Sequence, residues 1–291
     1  MKTKTYMFAS VLSLLLLCAN AALAQKQEPI RADWLAKDVA LIERLLPQLN
    51  PTEPLTIAKL KTIFGDKFSE TELGFGGRTF AFSGAGGYAY LQVSGFAFNG
   101  EIGSYKISLE SYLFWPTVSG LLTDAWKRSS DLEFKQGKWG LYYDREIPNV
   151  LTDFKRGVSS QLGELQVAAV PADLNDAYEE LVSVGNNSIV SPFECGFALV
   201  TPPGKKAIDA LVKAERIDLI GNILKGYNPG GRVYAAVALI AMQRKGTELP
   251  QDVLRALEFV RAMDFEITTC QGCLMMPKKP KQIIADWPFE K

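Results

Sequence analysis

Histidine is absent from all 291 residues of the chain. A Ser-His-Asp triad, a Cys–His pair and a His-ligated zinc or iron site are therefore impossible, because each needs an imidazole as base or ligand. Carboxylate pairs, lysine and tyrosine remain available for catalysis, so an enzyme is not excluded. The absence nevertheless favours a protein that binds a ligand without transforming it.

An excess of charge of one sign is also lacking, since 32 basic residues balance 32 acidic ones. Proteins that recognise nucleic acids through their electrostatic field need a basic surplus gathered on one face, so we expect no nucleic-acid partner. Beyond the N-terminal segment, the most apolar stretch, Val233 to Met242, covers about ten residues, whereas a membrane-spanning helix needs about 20. We therefore expect no stable membrane span.

Motifs for a cofactor are missing as well. The glycine-rich run from Gly74 to Gly87 lacks the Gly-Lys-Ser/Thr ending of a phosphate-binding loop and flanks predicted strands instead of opening a helix. Turns and sheet edges explain these glycines better than a nucleotide site does. We expect no cofactor and no bound metal.

The first 24 residues have the pattern of a signal peptide. Lys2 and Lys4 precede an apolar run from Phe8 to Leu17, and Ala22-Leu23-Ala24 ends it with the small residues that signal peptidase recognises. Lipidation at Cys18 is disfavoured because a leucine stands before it, where that processing requires a small residue. The run is too short for a permanent anchor. We predict cleavage after Ala24 and an exported protein, periplasmic or secreted.

Residues 25–167 are predicted to form an α+β domain, an antiparallel sheet with flanking helices. Apolar residues recur at helical spacing from Ala32 to Leu49, and a second short helix from Ile57 is ended by Gly65. The period then changes from 3.6 to 2. In the clearest strand, Tyr105, Ile107 and Leu109 alternate with polar residues.

Residues 168–291 are predicted to form an all-α domain. Ala210-Leu211-Val212 with Arg216 is echoed 28 residues later by Ala238-Leu239-Ile240 with Arg244, and each group precedes an apolar helix that opens with aspartate. This echo is similar to the helical hairpins of HEAT-type solenoids. A plain helical bundle is the alternative interpretation.

Three cysteines follow the predicted cleavage site: Cys195, Cys270 and Cys273. In an oxidising compartment we expect a disulfide between Cys195 and either Cys270 or Cys273, closing a loop of about 75 residues and contributing roughly 4 kcal/mol. A redox-active Cys270–Cys273 pair is the alternative, although such pairs usually open a helix after a central strand. A three-cysteine metal site would lack a fourth ligand.

Aromatic residues are dense between Phe75 and Tyr143, and most of them are expected in the core. Tyr88 and Tyr90 lie on the face of their predicted strand opposite Ala89 and Leu91. Tyr142 likewise lies on the face opposite Trp139 and Tyr143. Tyrosine rings offer a large contact area with a polar tip. We therefore identify Tyr88, Tyr90 and Tyr142 as a candidate binding surface for a protein, peptide or glycan.

Two carboxylates provide a route to catalysis. Asp144 and Glu146 stand two residues apart on a predicted strand, so both project from one face, as in a glycosidase pair. Arg145 between them makes an ordinary surface charge cluster the simpler interpretation. The leading hypothesis is an exported, non-catalytic binding protein. The alternatives are an envelope thiol-disulfide protein and a carboxylate-based hydrolase.

Overall fold

The structure is a computed structural model that describes residues 30–49, 55–111, 116–137, 140–166, 169–184, 189–196, 200–272 and 274–289. The predicted signal peptide, residues 1–24, lies outside these ranges, and so does Cys273. Across the described ranges, every helix is too short or too polar to traverse a lipid bilayer.

Helices and strands are segregated along the chain. The helices are α1 (Ala32–Leu45), α2 (Ile57–Phe64), α3 (Pro116–Ser129), α4 (Pro148–Leu162), α5 (Asn175–Val182), α6 (Pro203–Lys213), α7 (Ile217–Leu224), α8 (Pro229–Arg244), α9 (Gln251–Ala262) and α10 (Pro280–Ala285). The strands are β1 (Phe68–Gly74), β2 (Gly77–Ala85), β3 (Ala89–Phe98), β4 (Glu101–Ser111), β5 (Lys135–Gln136), β6 (Gly140–Glu146), β7 (Ile267–Gln271) and β8 (Leu274–Lys278).

The first six strands form one antiparallel sheet in the order β1-β2-β3-β4-β6-β5. This confirms the predicted antiparallel sheet with flanking helices. The inner face of the sheet packs against α1, α2 and α3 and includes Phe80, Phe82, Leu91, Val93, Ile107, Leu109 and Leu141, all buried. The alternation of side chains along each strand places the polar residues on the other face, here called the outer face.

A buried carboxylate joins α1 to the turn between β2 and β3. Asp38 accepts hydrogen bonds from the backbone N–H groups of Gly87 (2.5 Å), Tyr88 (2.9 Å) and Ala89 (2.9 Å). A Cβ atom at Gly87 would collide with the carbonyl of Trp34, so the close approach of helix and turn requires glycine. The turn is thereby held against the helix on the inner side of the sheet.

Among the described residues, helix α4 packs over one end of the outer face. This helix starts at Pro148, where the missing N–H is harmless, and buries Phe154, Val158 and Leu162. Those side chains join Leu73 and Phe96 of the sheet and the helices of the C-terminal part in a second hydrophobic core. The predicted ranges 25–167 and 168–291 thus share this core, and their division into separate domains stays a prediction.

Helix α8 is the centre of the C-terminal part, because every residue from Pro229 to Leu239 is buried. Helix α6, which carries the first copy of the sequence echo, buries only Gly204, Ala207, Ile208 and Leu211. The two segments therefore occupy different environments, one central and one at the surface. The HEAT-like repeat is not confirmed.

The prediction of a wholly helical C-terminal part is wrong at β7 and β8, which form an antiparallel hairpin. Each strand has only five residues, and the Met275-Met276-Pro277 sequence of β8 gives no alternation that would mark a strand. The hydrogen bonds between the two strands hold the hairpin together, and the Thr269 side chain adds a hydrogen bond of 2.8 Å to the Met276 carbonyl.

A fully buried arginine connects the sheet to the helices. From α8, Arg232 donates hydrogen bonds to the carbonyls of Leu73 (3.3 Å), Gly226 (2.9 Å) and Tyr227 (3.1 Å). Burial lowers the pKa of the guanidinium to about 9. Because Leu73 belongs to the β1–β2 hairpin, these bonds fix that end of the sheet against the helical part.

Candidate functional site

A groove of about 850 Å³ lies between the outer face of the sheet and the helices. Its floor is formed by β1 to β4 and β6, and its wall by α4, by the C-terminal end of α5 and by Tyr227. The packing of α4 over one end of the outer face leaves this space open beside it. Both predicted domain ranges therefore contribute residues to the groove.

The floor of the groove consists mainly of polar side chains, whose rows follow the strand register. In the strand register, Lys106 of β4 lies between Ser94 of β3 and Asp144 of β6. In the next row, Ser104 of β4 lies between Phe96 of β3 and Glu146 of β6. Paired residues on neighbouring antiparallel strands share a face, so the hydroxyl and charged groups project together into the groove. The polar half of each alternating strand thus becomes the floor.

The wall of the groove is more apolar than the floor. Leu151, Val182 and Val184 line it and are each partly buried. Lys155 of α4 lies with its ammonium 5.4 Å from the centre of the Tyr227 ring, within the range of a cation–π contact. Burial raises the pKa of Tyr227, a hydrogen bond with Ser159 opposes the rise, and Glu164 adds to it.

Charged groups of both signs line the groove. Asp144 forms a salt bridge of 2.9 Å with Lys135, and both side chains are well exposed. Lys106 places its ammonium 5.5 Å from the ring of Tyr142. Within the part of the chain that the structure describes, Lys106, Lys155 and Glu146 form no salt bridge. Three charged groups are therefore available to a ligand.

The predicted tyrosine surface is divided. Tyr90 and Tyr142 share the outer face, where Tyr142 precedes the groove residue Asp144 by two positions on β6. Tyr88 lies apart from them at the β2–β3 turn, with its ring 5.2 Å from that of Trp34 and its hydroxyl accepting a hydrogen bond from the Arg31 N–H. A surface made of all three tyrosines stays a prediction.

The two predicted carboxylates, Asp144 and Glu146, both line the groove, as a catalytic pair would require. Both side chains are exposed, and Asp144 is ion-paired with Lys135. The acid of a glycosidase pair typically lies in an apolar, water-poor pocket. The surroundings here suit the binding of a cationic group more than acid catalysis.

The cysteines lie elsewhere, in the C-terminal part. Cys195 forms a disulfide with Cys270, one of the two predicted pairings, across a separation of 75 residues and a Cα–Cα distance of 5.9 Å. The loop before Cys195 also pairs with β7 through Val190 and Thr269. Because Cys270 is bonded to Cys195, the alternative Cys270–Cys273 redox pair is not formed in this structure.

Sequence reasoning found Asp144 and Glu146 but missed the groove that they line. Its floor comes from five strands, and Val182, Val184 and Tyr227 reach it from more than 80 residues further along the chain than the floor strand β3. The available signal was the polar side of β4, where Lys106 alternates with buried residues. That signal identifies an exposed face but not what stands opposite it.

Comparison of the chain with protein-family models, with curated proteins and with solved structures gave no match. The groove is therefore interpreted from its own residues and geometry.

Proposed function

We propose that the protein is an exported binding protein that holds its ligand, without transforming it, in the groove between the outer face and the helices. The observation that carries the proposal is the groove itself, a space of about 850 Å³ lined by hydroxyl, aliphatic and charged side chains. Pockets for small ligands typically measure about 300–1,000 Å³ and combine apolar walls with a few polar groups.

Binding is favoured over catalysis by the residues available. The chain has no histidine, the commonest general base, and the carboxylates of the groove are exposed. Outside the groove, the buried polar groups Asp38 and Arg232 bond to backbone groups and have structural roles.

Export is supported by two independent features. Residues 1–24 have the signal-peptide pattern, and the Cys195–Cys270 disulfide is of a kind that persists in oxidising compartments and is rare in the cytosol. N-terminal sequencing of the native protein should begin at Gln25. Full-length protein recovered from the cytosol with reduced thiols would contradict this part of the proposal.

The groove can be tested by filling it. Ser94→Trp places a large ring on the floor, whereas Ser83→Trp places the same ring on the outer face at a position that does not line the groove, and it serves as the matched control. Ligands found by ligand-observed NMR in a chemically diverse library should bind the wild type and Ser83→Trp equally. Ser94→Trp should bind them at least tenfold more weakly.

Equal binding by Ser94→Trp, with both variants folded by circular dichroism, would show that the ligand site lies elsewhere. Conversion of a bound compound into a product during the NMR experiment would contradict the non-catalytic part of the proposal.

A second candidate function, a carboxylate-based hydrolase, is favoured by one observation. Asp144 and Glu146 line the same groove two residues apart on β6, which separates their Cα atoms by about 7 Å. Glycosidases likewise use two carboxyl groups that face one cleft. This function requires release of sugar from an oligosaccharide panel and its loss in Asp144→Asn and Glu146→Gln; no release from any member would eliminate it.

A further inference from the structure

Some charged groups of each sign in the groove lack salt-bridge partners among the described residues, and these restrict the kind of ligand that the groove can hold. Lys106 and Lys155 carry positive charge and Glu146 carries negative charge, without salt-bridge partners among the described residues. A ligand that carries both signs could form charge-assisted hydrogen bonds with each of them. A polyanion would meet Glu146 and Glu179, and a neutral ligand would leave all three charges to water.

The two sides of the groove differ in polarity. Ser94 and Ser104 present hydroxyl groups from the floor, whereas Leu151, Val182 and Val184 present aliphatic surface from the wall. In an extended peptide, successive side chains point to opposite sides. One set would therefore contact the floor and the other set the wall.

A glycan fits this arrangement less well. Sugars carry hydroxyl groups around their whole periphery, so the aliphatic wall would face polar atoms without partners. Tyr90 and Tyr142, whose rings could stack on a sugar, stand on the outer face but do not line the groove, and the Tyr227 ring in the wall is already in contact with the Lys155 ammonium. The lining thus favours a chain with alternating polar and apolar side chains.

We infer that the ligand of the groove is a short extended peptide of mixed charge, with its carboxylate near Lys106 and Lys155, its cationic group near Glu146 and its apolar side chains against the aliphatic wall. This inference rests on the proposed function, because it names the ligand class for the same groove.

Synthetic heptapeptides test the inference directly. The first pool alternates Ser or Thr with Val or Leu, has blocked ends, and contains one Glu and one Lys at varied positions. Matched pools lack the Glu, the Lys or both, and a pool of neutral oligosaccharides provides the other ligand class. By fluorescence anisotropy competition, the mixed-charge peptides should bind at least tenfold more tightly than the neutral peptides.

Charge reversal in the protein provides the matched variants. Lys155→Glu and Lys106→Glu should each weaken binding of the best mixed-charge peptide about fivefold to tenfold, because a carboxylate would then face a carboxylate. Lys127→Glu, an exposed change on α3 away from the groove, should leave it unchanged. A peptide with Lys in place of its Glu should regain affinity for Lys155→Glu. Because Lys106 is exposed, its variant remains informative if Lys155→Glu fails to fold.

The outcomes separate the inference from the function on which it rests. Equal affinity of neutral and mixed-charge peptides, or binding of the oligosaccharides alone, overturns the peptide inference; if that binding is lost in Ser94→Trp, the groove remains the ligand site. If no pool binds, the peptide inference is overturned, and the proposed function is then decided by the chemically diverse library; if binding is insensitive to Ser94→Trp, both are overturned.

Discussion

The two faces of the six-stranded sheet are made by alternate residues of the same strands, yet they differ strongly in how far their side chains are buried. On β4, Ile107 is completely buried against the helices of the inner face, whereas the adjacent Lys106 is exposed on the outer face. The inner face accounts for a continuous hydrophobic core. The comparison teaches that most of the hydrophobic burial of the sheet lies on the inner side, which leaves the outer-face side chains beyond the end packed under α4 available for binding.

The largest difference between the faces should appear on truncating a buried side chain. Ile107→Ala removes a completely buried branched chain and should lower the free energy of unfolding by about 2–5 kcal/mol. Ser94→Ala, on the floor of the groove, should change it by less than about 0.5 kcal/mol. Urea unfolding of both variants measures the contrast, and similar losses in the two would show that the faces do not differ as described.

The second-largest difference in the free energy of unfolding should appear between carboxylates on the two sides of the sheet. Asp38→Asn weakens the acceptor of three backbone N–H groups and should lower the free energy of unfolding by about 3 kcal/mol. Asp144→Asn, in an exposed ion pair of the outer face, should lower it by less than about 1 kcal/mol. Thermal unfolding of the two variants under one buffer gives the comparison. A tolerated Asp38→Asn would mean that the turn does not depend on the carboxylate.

The free energy of unfolding should decrease at alkaline pH because of Tyr105, a buried residue of the inner face. Burial raises the pKa of Tyr105 to about 12, Tyr143 adds to the rise, and Arg145 opposes it. In the unfolded chain a tyrosine titrates near pH 10, so the unfolded state loses its proton first. The stabilisation is complete below about pH 10 and is lost as the pH rises towards 12, by about 2 kcal/mol.

Tyr105→Phe isolates this contribution from those of the other tyrosines. Its stability should fall less than that of the wild type between pH 10 and 12 in denaturant titrations. Near pH 7 the variant should be at least as stable as the wild type, because the buried Tyr105 hydroxyl has no hydrogen-bond partner in the described residues and its removal relieves a desolvation cost. Parallel curves over the alkaline range would contradict the burial of this hydroxyl.

The smallest effect should be the salt dependence of the outer face. The Lys135–Asp144 pair is exposed on both sides, so raising the salt concentration from 0.05 to about 1 M should remove nearly all of its contribution, which is below about 1 kcal/mol. A double-mutant cycle with Lys135→Ala and Asp144→Ala measures the coupling at each salt concentration. A coupling that persists at high salt would mean that the pair is shielded from solvent.

Local patterns in the sequence were sufficient for the sheet and its inner helices. The alternation of Tyr105, Ile107 and Leu109 identified β4, and Gly65 marked the end of α2. Such features depend on near neighbours in the chain, whose spacing alone determines which face they share.

The groove and the β7–β8 hairpin could not be predicted in this way. Val184 and Tyr227 face the sheet only because α4 and α8 bring distant segments together, partly through Arg232 and its backbone partners. The hairpin needs two short strands that stabilise each other and have no strong pattern of their own. Both features arise from contacts between segments that are far apart in sequence.

The disulfide has a consequence for the order of events during biogenesis. All of α6, α7, α8 and α9 lies between Cys195 and Cys270, so the first cysteine leaves the ribosome 75 residues ahead of its partner. If the chain is delivered from its N-terminus, Cys195 arrives before Cys270, and the four helices between them arrive in the interval. In an exported chain, the bond can therefore form only after these four helices have been delivered.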